Sequence, residues 1–333
     1  MKQLISYCLI ALLTALYSGH SLAITFKIAT LAPAGTTWMK EMKKGAKRID
    51  EKTDGRVKLK FYPGGVMGND QSVHRKIRVG QLHGGAFTTG GLAHFYPGIR
   101  SLSLPMIFDT LDEVDYVRSK VDASLKQNME QAGFVLLGIA EVGFARIMST
   151  NPLTDLESIR ASKVWIPEGD ALVREIYKTL GISPISLPIS DVFTGLQTGL
   201  IDTVSITATA AIAFQWHSNM AYVTDTPLTY LIGLLAIEKK SFDKIKAGDQ
   251  IIVKQEIALV SEQLDRLNRS NNEKATEALK NLGIKFISLD PEELKRWKTL
   301  SAQAIINMTK QGVMSQEAVD QVLQHLSDYR KAQ

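Results

Sequence analysis

The chain has 333 residues, 45% of them apolar and 22% charged, and a formal charge of +5 at pH 7. Its cations alternate with acids along stretches such as Lys40-Glu41-Met42-Lys43-Lys44, which makes solvated faces and argues against a nucleic-acid footprint. Beyond the first 23 residues there is no cysteine and no apolar run near the ~20 residues that a membrane helix needs, so thiol chemistry and a spanning helix are not expected there.

Residues 1–23 place Lys2 before an apolar stretch and end on Ser21-Leu22-Ala23, the small-residue pattern read by signal peptidase. A cleaved export leader is expected, with a retained membrane anchor as the alternative. Cys8 lies inside it, and Tyr7 before it is too large for a lipoprotein site. Removing 23 of 333 residues leaves 310, and with Lys2 gone the charge falls from +5 to +4. That length suits about two domains of ~150 residues each.

Ile24 to Thr30 alternates and is β-branched, which predicts a strand. A turn follows, and Thr36 or Thr37 is placed to cap a helix with Trp38, Met42, Gly45 and Ile49 on one face. Arg56 to Tyr62 alternates again, completing a βαβ unit of a parallel sheet. A helix to Val79 follows the turn cluster Pro63 to Asp70. Ala86 to Thr89 lies between two glycine pairs; with neither GxGxxG nor GxxxxGK[ST] in the chain, it reads as a strand end open to a ligand or a backbone rather than a phosphate cradle. Thr110 to Glu113 resembles a capping box that opens a helix ending near Gly133.

Phe134 to Ala140 is an apolar strand, and extended chain continues to Thr150. After residue 145 a second run of strands and helices begins: a possible capping box at Thr154 to Glu157, a short strand at Lys163 to Pro167, a helix from Gly169 to Leu180, a strand from Ile182, a helix capped by Ser190 or Asp191, and a strand from Leu200 to Ser205. Leu228 to Ile237 fits a strand buried on both faces and crossing back to the first domain. Ala247 to Leu282 is an almost unbroken helix former, long enough to span two domains or bend between them. A strand at Ile284 to Ser288, a helix started by Asp290-Pro291 and a helical tail complete the chain.

No catalytic constellation emerges. The six histidines show no HExxH spacing, and there is no GxSxG. Each histidine reads as a surface or satisfied core residue, and no metal or cofactor is expected.

The sequence resembles the periplasmic solute-binding proteins of TRAP (tripartite ATP-independent periplasmic) transporters of the DctP type, over nearly the whole chain after the leader. The resemblance rests on Ile28-Ala-Thr-Leu-Ala-Pro33 with Trp38, Tyr62-Pro63-Gly64, Phe95-Tyr96-Pro97, Lys163-Val-Trp-Ile-Pro167, Leu187-Pro188, Leu196-Gln197-Thr198-Gly199 and Ile201-Asp202. It implies an α/β, two-domain Venus-flytrap fold with crossing strands and a long bent helix. Domain I would comprise 24–143 plus about 231–271, and domain II 144–230 plus about 272–333. It further implies a periplasmic, non-enzymatic monomer that passes a small organic acid from its cleft to the small and large membrane subunits. A receptor that presents its ligand to a sensor, or an enzyme on the same scaffold, are the alternatives.

In that family a Lys-hydrophobic-Arg-hydrophobic-Pro strand supplies an arginine that grips the ligand carboxylate bidentately. This chain has Trp165 there, which offers one hydrogen bond and a stacking face but no charge. Arg146, five residues before Asn151, matches a second family arginine and is the expected cleft cation, with a surface or inter-strand ion pair as the alternative. For Trp165 the alternative is a packed core indole. Ile206 replaces an amide and argues for a more apolar cleft, in which Thr207, Thr89 and Trp38 are the other candidate ligand contacts and Thr209 offers a further hydroxyl. Glu168 and Asp170 read as a solvated helix start.

Overall fold

A computed structural model of the chain describes residues 23–333, so the expected leader lies outside the described residues except for Ala23. β1 (Ile24–Thr30), α1 (Thr37–Lys52) and β2 (Val57–Tyr62) form the anticipated parallel βαβ unit, with Ile24 opposite Val57. Thr36 caps α1 by accepting from the Met39 amide at 3.3 Å. α2 (Asp70–Arg78) leads to β3 (Gly84–Phe87), which lies parallel to β1, and then to the short α3 (Thr89–Leu92). A 3-10 stretch, Pro97–Ser103, precedes α4 (Leu111–Gln131), whose Thr110–Glu113 capping box is present as anticipated.

β4 (Phe134–Ser149) then carries the chain the length of the molecule. Beyond it come α5 (Leu156–Arg160), β5 (Trp165–Pro167), α6 (Ala171–Thr179), β6 (Ile185–Leu187), α7 (Val192–Gln197), β7 (Thr203–Ile206) and α8 (Ala208–Ala213). Asp155, not Thr154, caps α5, since it is the Asp155 carboxylate that accepts from the Ser158 amide at 2.8 Å. β8 (Tyr222–Glu238) returns antiparallel to β4. α9 (Lys239–Phe242), α10 (Ala247–Asn281), β9 (Lys285–Ile287), α11 (Pro291–Lys310) and α12 (Gln316–Lys331) complete the chain.

Among the described residues the principal sheet has seven strands in the order β2-β1-β3-β8-β4-β7, with β9 on β8, and β5 and β6 form a separate parallel pair. The second run of elements therefore does not start a wholly new sheet: β7 and β9 extend the first. The reason is strand length. β4 and β8 have 16 and 17 residues, so each is roughly 55 Å long at the usual rise. The expected ten-residue strand is thus the apolar half of a longer one, whose Tyr222 to Thr224 portion continues the ladder with β4. Register shifts in β4 fall between Leu136 and Gly138, Glu141 and Gly143, and Ala145 and Ile147. At the middle one Gly143 takes φ +113°, which L side chains avoid, so the bend is built on a glycine.

α10, 35 residues and about 52 Å long, packs along β4, α1 and α8 and ties the two ends of the sheet together. The last helix departs from the expected domain limits. Val319, Val322 and Leu326 of α12 share a core with Val114, Val117 and Val121 of α4, and Arg330 pairs with Glu113 at 2.7 Å. Residues 316–331 thus belong with the first lobe, because the apolar stripe of α12 finds its partner there.

A buried polar cluster fastens the crossing of β4 and β8. Arg118 of α4 donates to the Tyr230 hydroxyl at 3.3 Å, to Asp265 of α10 at 2.8 Å and to the Ile139 carbonyl at 3.1 Å. Tyr230 donates to Glu141 at 3.1 Å, and Glu141 accepts from Arg269 at 2.7 Å. Burial pushes the Glu141 carboxyl and the Tyr230 phenol up, against the hydrogen bonds from Arg269 and Arg118 respectively. Burial also disfavours the Arg118 cation, but Tyr230, Asp122 and Asp265 outweigh it and hold the group charged. Removing one member leaves the others buried without their partner. Arg118→Met is expected to lower unfolding free energy by about 3–5 kcal/mol, read from urea denaturation; a loss below about 1 kcal/mol would show that the cluster is not a fastening.

Candidate functional site

Between the two ends of the sheet lies a cavity of ≈ 640 Å³. Its walls come from the turn after β1, the β3–α3 junction, the bend of β4, β5, the end of β7, the middle of β8 and one face of α10. Such a volume falls within the roughly 300–1,000 Å³ of small-molecule sites. Among the described residues no Lys, Arg or His lines it, and Asp170 is its one charged side chain.

Of the six candidate ligand contacts, Trp38, Thr89, Trp165, Ile206 and Thr207 are brought together around this cavity. Arg146 is not. Ala145 and Ile147 wall the cavity, whereas Arg146 between them turns to Asp225 of β8, with Nε 2.8 Å from the carboxylate. The expected cleft cation is thus an inter-strand ion pair, because side chains alternate along β4 and the acid lies on the far side.

Trp165 serves both of its alternatives. The side chain is 4% exposed and meets Trp216 edge-to-face with ring centroids 5.2 Å apart, yet it also walls the cavity. Its indole N–H donates to the Leu187 carbonyl of β6 at 3.0 Å. With that donor used inside the protein, Trp165 offers a ligand apolar surface only. Ile206 ends β7 at the cavity, and Thr207 next to it caps α8 through the Ala210 amide at 3.3 Å. Trp38 packs edge-on against Phe61 and presents its remaining surface to the cavity.

Three features went unread in the sequence. Ser103 lines the cavity with a hydroxyl oxygen that is buried and has no hydrogen-bond partner, as does Thr209, whose hydroxyl the sequence had offered. Asp170 starts α6 as anticipated, accepting from the Leu172 and Val173 amides at 3.1 and 3.3 Å, but it is not solvated: buried Arg100 donates to it at 3.2 Å. Beside it Glu168 accepts from Asn69 at 2.5 Å, so residues at the start of α6 bind across the cavity rim to residues around α2 and α3. No local pattern marks these pairs, whose members are separated by 70 and 99 residues. His74 is stacked on Phe87 in the core and only half satisfied: its Nε2 is bonded to the Gly91 carbonyl at 2.7 Å, while its Nδ1 is buried without a partner.

Behind this rim the half-buried Asp70 packs its carboxylate against Gly91, where a Cβ would come within 2.2 Å of it. Burial, helped by Asp170 and opposed by the Thr88 hydrogen bond, pushes the Asp70 carboxyl from 3.8 up to about 6. A raised folded pKa means that the folded chain holds this proton to higher pH than the unfolded chain. The associated stability is complete below about 4 and is lost as pH rises through about 6.

The chain matches the DctP family, described as bacterial extracellular solute-binding protein, family 7, over residues 28–311. It is 25% identical over 266 residues to the C4-dicarboxylate-binding periplasmic protein DctP of Rhodobacter capsulatus, covering 77% of this chain and 78% of that one. It is 23% identical over 242 residues to the 2,3-diketo-L-gulonate-binding periplasmic protein YiaO of Escherichia coli, covering 72% and 74%. Among solved structures, the sugar acid binding protein DctPAm of Advenella mimigardefordensis with galactonate superposes with TM-score 0.84 at 20% identity, covering 92% of this chain and 99% of that one. A TRAP periplasmic solute-binding protein of Desulfovibrio salexigens with bound orotic acid superposes with TM-score 0.82 at 17% identity, covering 91% and 99%. The fold is therefore that of the two-domain solute-binding proteins. The chain belongs to family 7 of the bacterial extracellular solute-binding proteins.

Two substitutions check the assignment of charges. Asp70→Asn removes an ionisation cost of up to about 3 kcal/mol, from a shift of 3.8 to about 6, and forfeits about 0.3–1 kcal/mol of helix-dipole interaction at the start of α2. The variant should be more stable by about 2 kcal/mol at neutral pH and no more stable at pH ~4, in thermal melts across that range. Arg146→Ala breaks a pair with Asp225 that is 31% and 45% exposed, and should cost less than about 1 kcal/mol of stability.

Proposed function

We propose that this chain is the periplasmic receptor of a TRAP transporter, exported by a leader that is cleaved after Ala23. It works as a monomer that captures a small organic acid with a substantial apolar part and delivers it to the small and large membrane subunits. Closure of the two lobes on the ligand, with the long helix and the crossing strands as the flexible connection, accompanies capture. It is a receptor and not a catalyst.

The single observation that carries this reading is a ligand-sized, largely apolar cavity between two lobes that share their longest strands. Family membership supports it, as do relatives that bind C4-dicarboxylate, galactonate and orotic acid. Orotic acid shows that this fold accepts a planar ring. Among the described residues no helix is long and apolar enough to cross a membrane, in keeping with membrane passage through separate subunits.

Native mass spectrometry of protein purified from the periplasm tests the reading. The expected result is a monomer carrying one small organic molecule that is released unaltered on denaturation. Conversion of that molecule by the protein would overturn the receptor reading in favour of an enzyme. Affinity for it should be unchanged in Arg146→Ala, within about twofold, because that side chain is directed to Asp225 and away from the cavity.

A further inference from the structure

We infer that the cleft recognises its ligand through the ligand's apolar body and neutral hydroxyl groups, and that a negative charge on the ligand adds nothing to binding; this rests on the receptor reading above. Three observations lead here. The first is the wall itself: among the described residues its one charged side chain is Asp170, of the same sign as a carboxylate and already joined to Arg100 and two backbone amides.

The second is the fate of the nearby cations. Arg146 faces Asp225, and buried Arg100 is directed to Asp170. A guanidinium gripping a ligand carboxylate would have to leave or share a carboxylate it already holds; Arg100 keeps its Nε without a partner, but that nitrogen is buried and Arg100 does not line the cavity. Trp165, at the only other position marked for a cation, has its donor on Leu187.

The third is what is left for a ligand to bond. The Asn271 amide donates to Thr37 at 3.2 Å and the Asn268 amide to the Glu141 carbonyl, which leaves each a second N–H and its Oδ1, groups that carry no net charge. Ser103 and Thr209 alone combine a place in the wall with a buried hydroxyl oxygen lacking any partner. Hydroxyls donate or accept equally well to an acid, an amide or an alcohol, so they fix orientation without selecting charge. A carboxylate entering this cavity gives up its hydration and finds no opposite charge in the wall. Discrimination falls instead to the shape of the apolar surface made by residues such as Trp38, Ile147, Trp165 and Phe214.

The test uses matched probes on dialysed full-length mature protein: 3-phenylpropanoate with 3-phenylpropanamide, and octanoate with octanamide, with galactonate as reference. Binding is measured by calorimetry near neutral pH at low and high salt. The uncharged member of a pair is expected to bind at least as tightly as the acid, and salt is expected to change neither affinity by more than about twofold. An acid that binds about tenfold tighter than its amide, or an affinity that falls steeply with salt, overturns the inference. Binding of galactonate without binding of either pair also overturns it but leaves the receptor reading standing. If no probe binds and no molecule copurifies, both fall.

A second arm supplies the missing charge. In Ile147→Arg, with folding verified by its thermal midpoint, the acid of each pair is expected to gain about tenfold over its amide. An unchanged ratio in the folded variant would count against a cavity that lacks only a cation. Should that variant fail to fold, the comparison of pairs on the unsubstituted protein decides alone.

Discussion

The structure depends on the antiparallel crossing of β4 and β8. These two strands are the only ones to reach both lobes among the described residues, and every other strand of the principal sheet is anchored directly or through β1 and β3 to one of them. Where they cross, apolar packing alone gives way to buried Arg118, Glu141 and Tyr230 and half-buried Asp265 and Arg269, bonded to one another. A cluster of that kind tolerates one arrangement of its members, since any slip leaves a charge without its partner in a medium of low dielectric. It therefore holds α4, both strands and α10 in register at the point from which the cavity opens.

The character of the cavity follows from that register. β4 bends at Gly143 and shifts register again between Ala145 and Ile147, so two small or apolar side chains wall the cavity and the arginine between them does not. The same economy of donors recurs on the other wall, where the Trp165 indole N–H donates to β6, and the Thr207 oxygen beside it accepts from the Ala210 amide of α8. The rim is different. Arg100 with Asp170 and Asn69 with Glu168 join residues from opposite sides of the cavity, so its polar contacts are protein to protein and its interior is left apolar.

Much of this was legible locally. The βαβ unit, the Thr110 capping box, the long helix and the Pro291 start follow from periodicity and caps, which act within a few residues. Five of the six candidate contacts do reach the cavity, because they lie in strands, at strand ends or in the first turn of a helix, at positions that the resemblance carries. Arg146 failed since spacing to Asn151 says nothing about which face of a bulged strand a side chain takes. The expected placement of α12 with the second domain did not foresee its packing on α4 for a related reason: an apolar stripe shows that a helix packs, and not on what.

By itself, then, the sequence determined the class of fold and the order of its elements, because these depend on short-range pattern. Only the tertiary structure decided that the longest strands merge the two halves into one sheet, that Arg146 and Arg100 are committed to Asp225 and Asp170, and that Ser103 and Thr209 reach the cavity without partners. The physical reason is distance along the chain. Arg146 and Asp225 are 79 residues apart, and Arg100 and Asp170 are 70. Whether a charge meets a ligand or another residue is settled by what folding brings beside it, which no local pattern encodes.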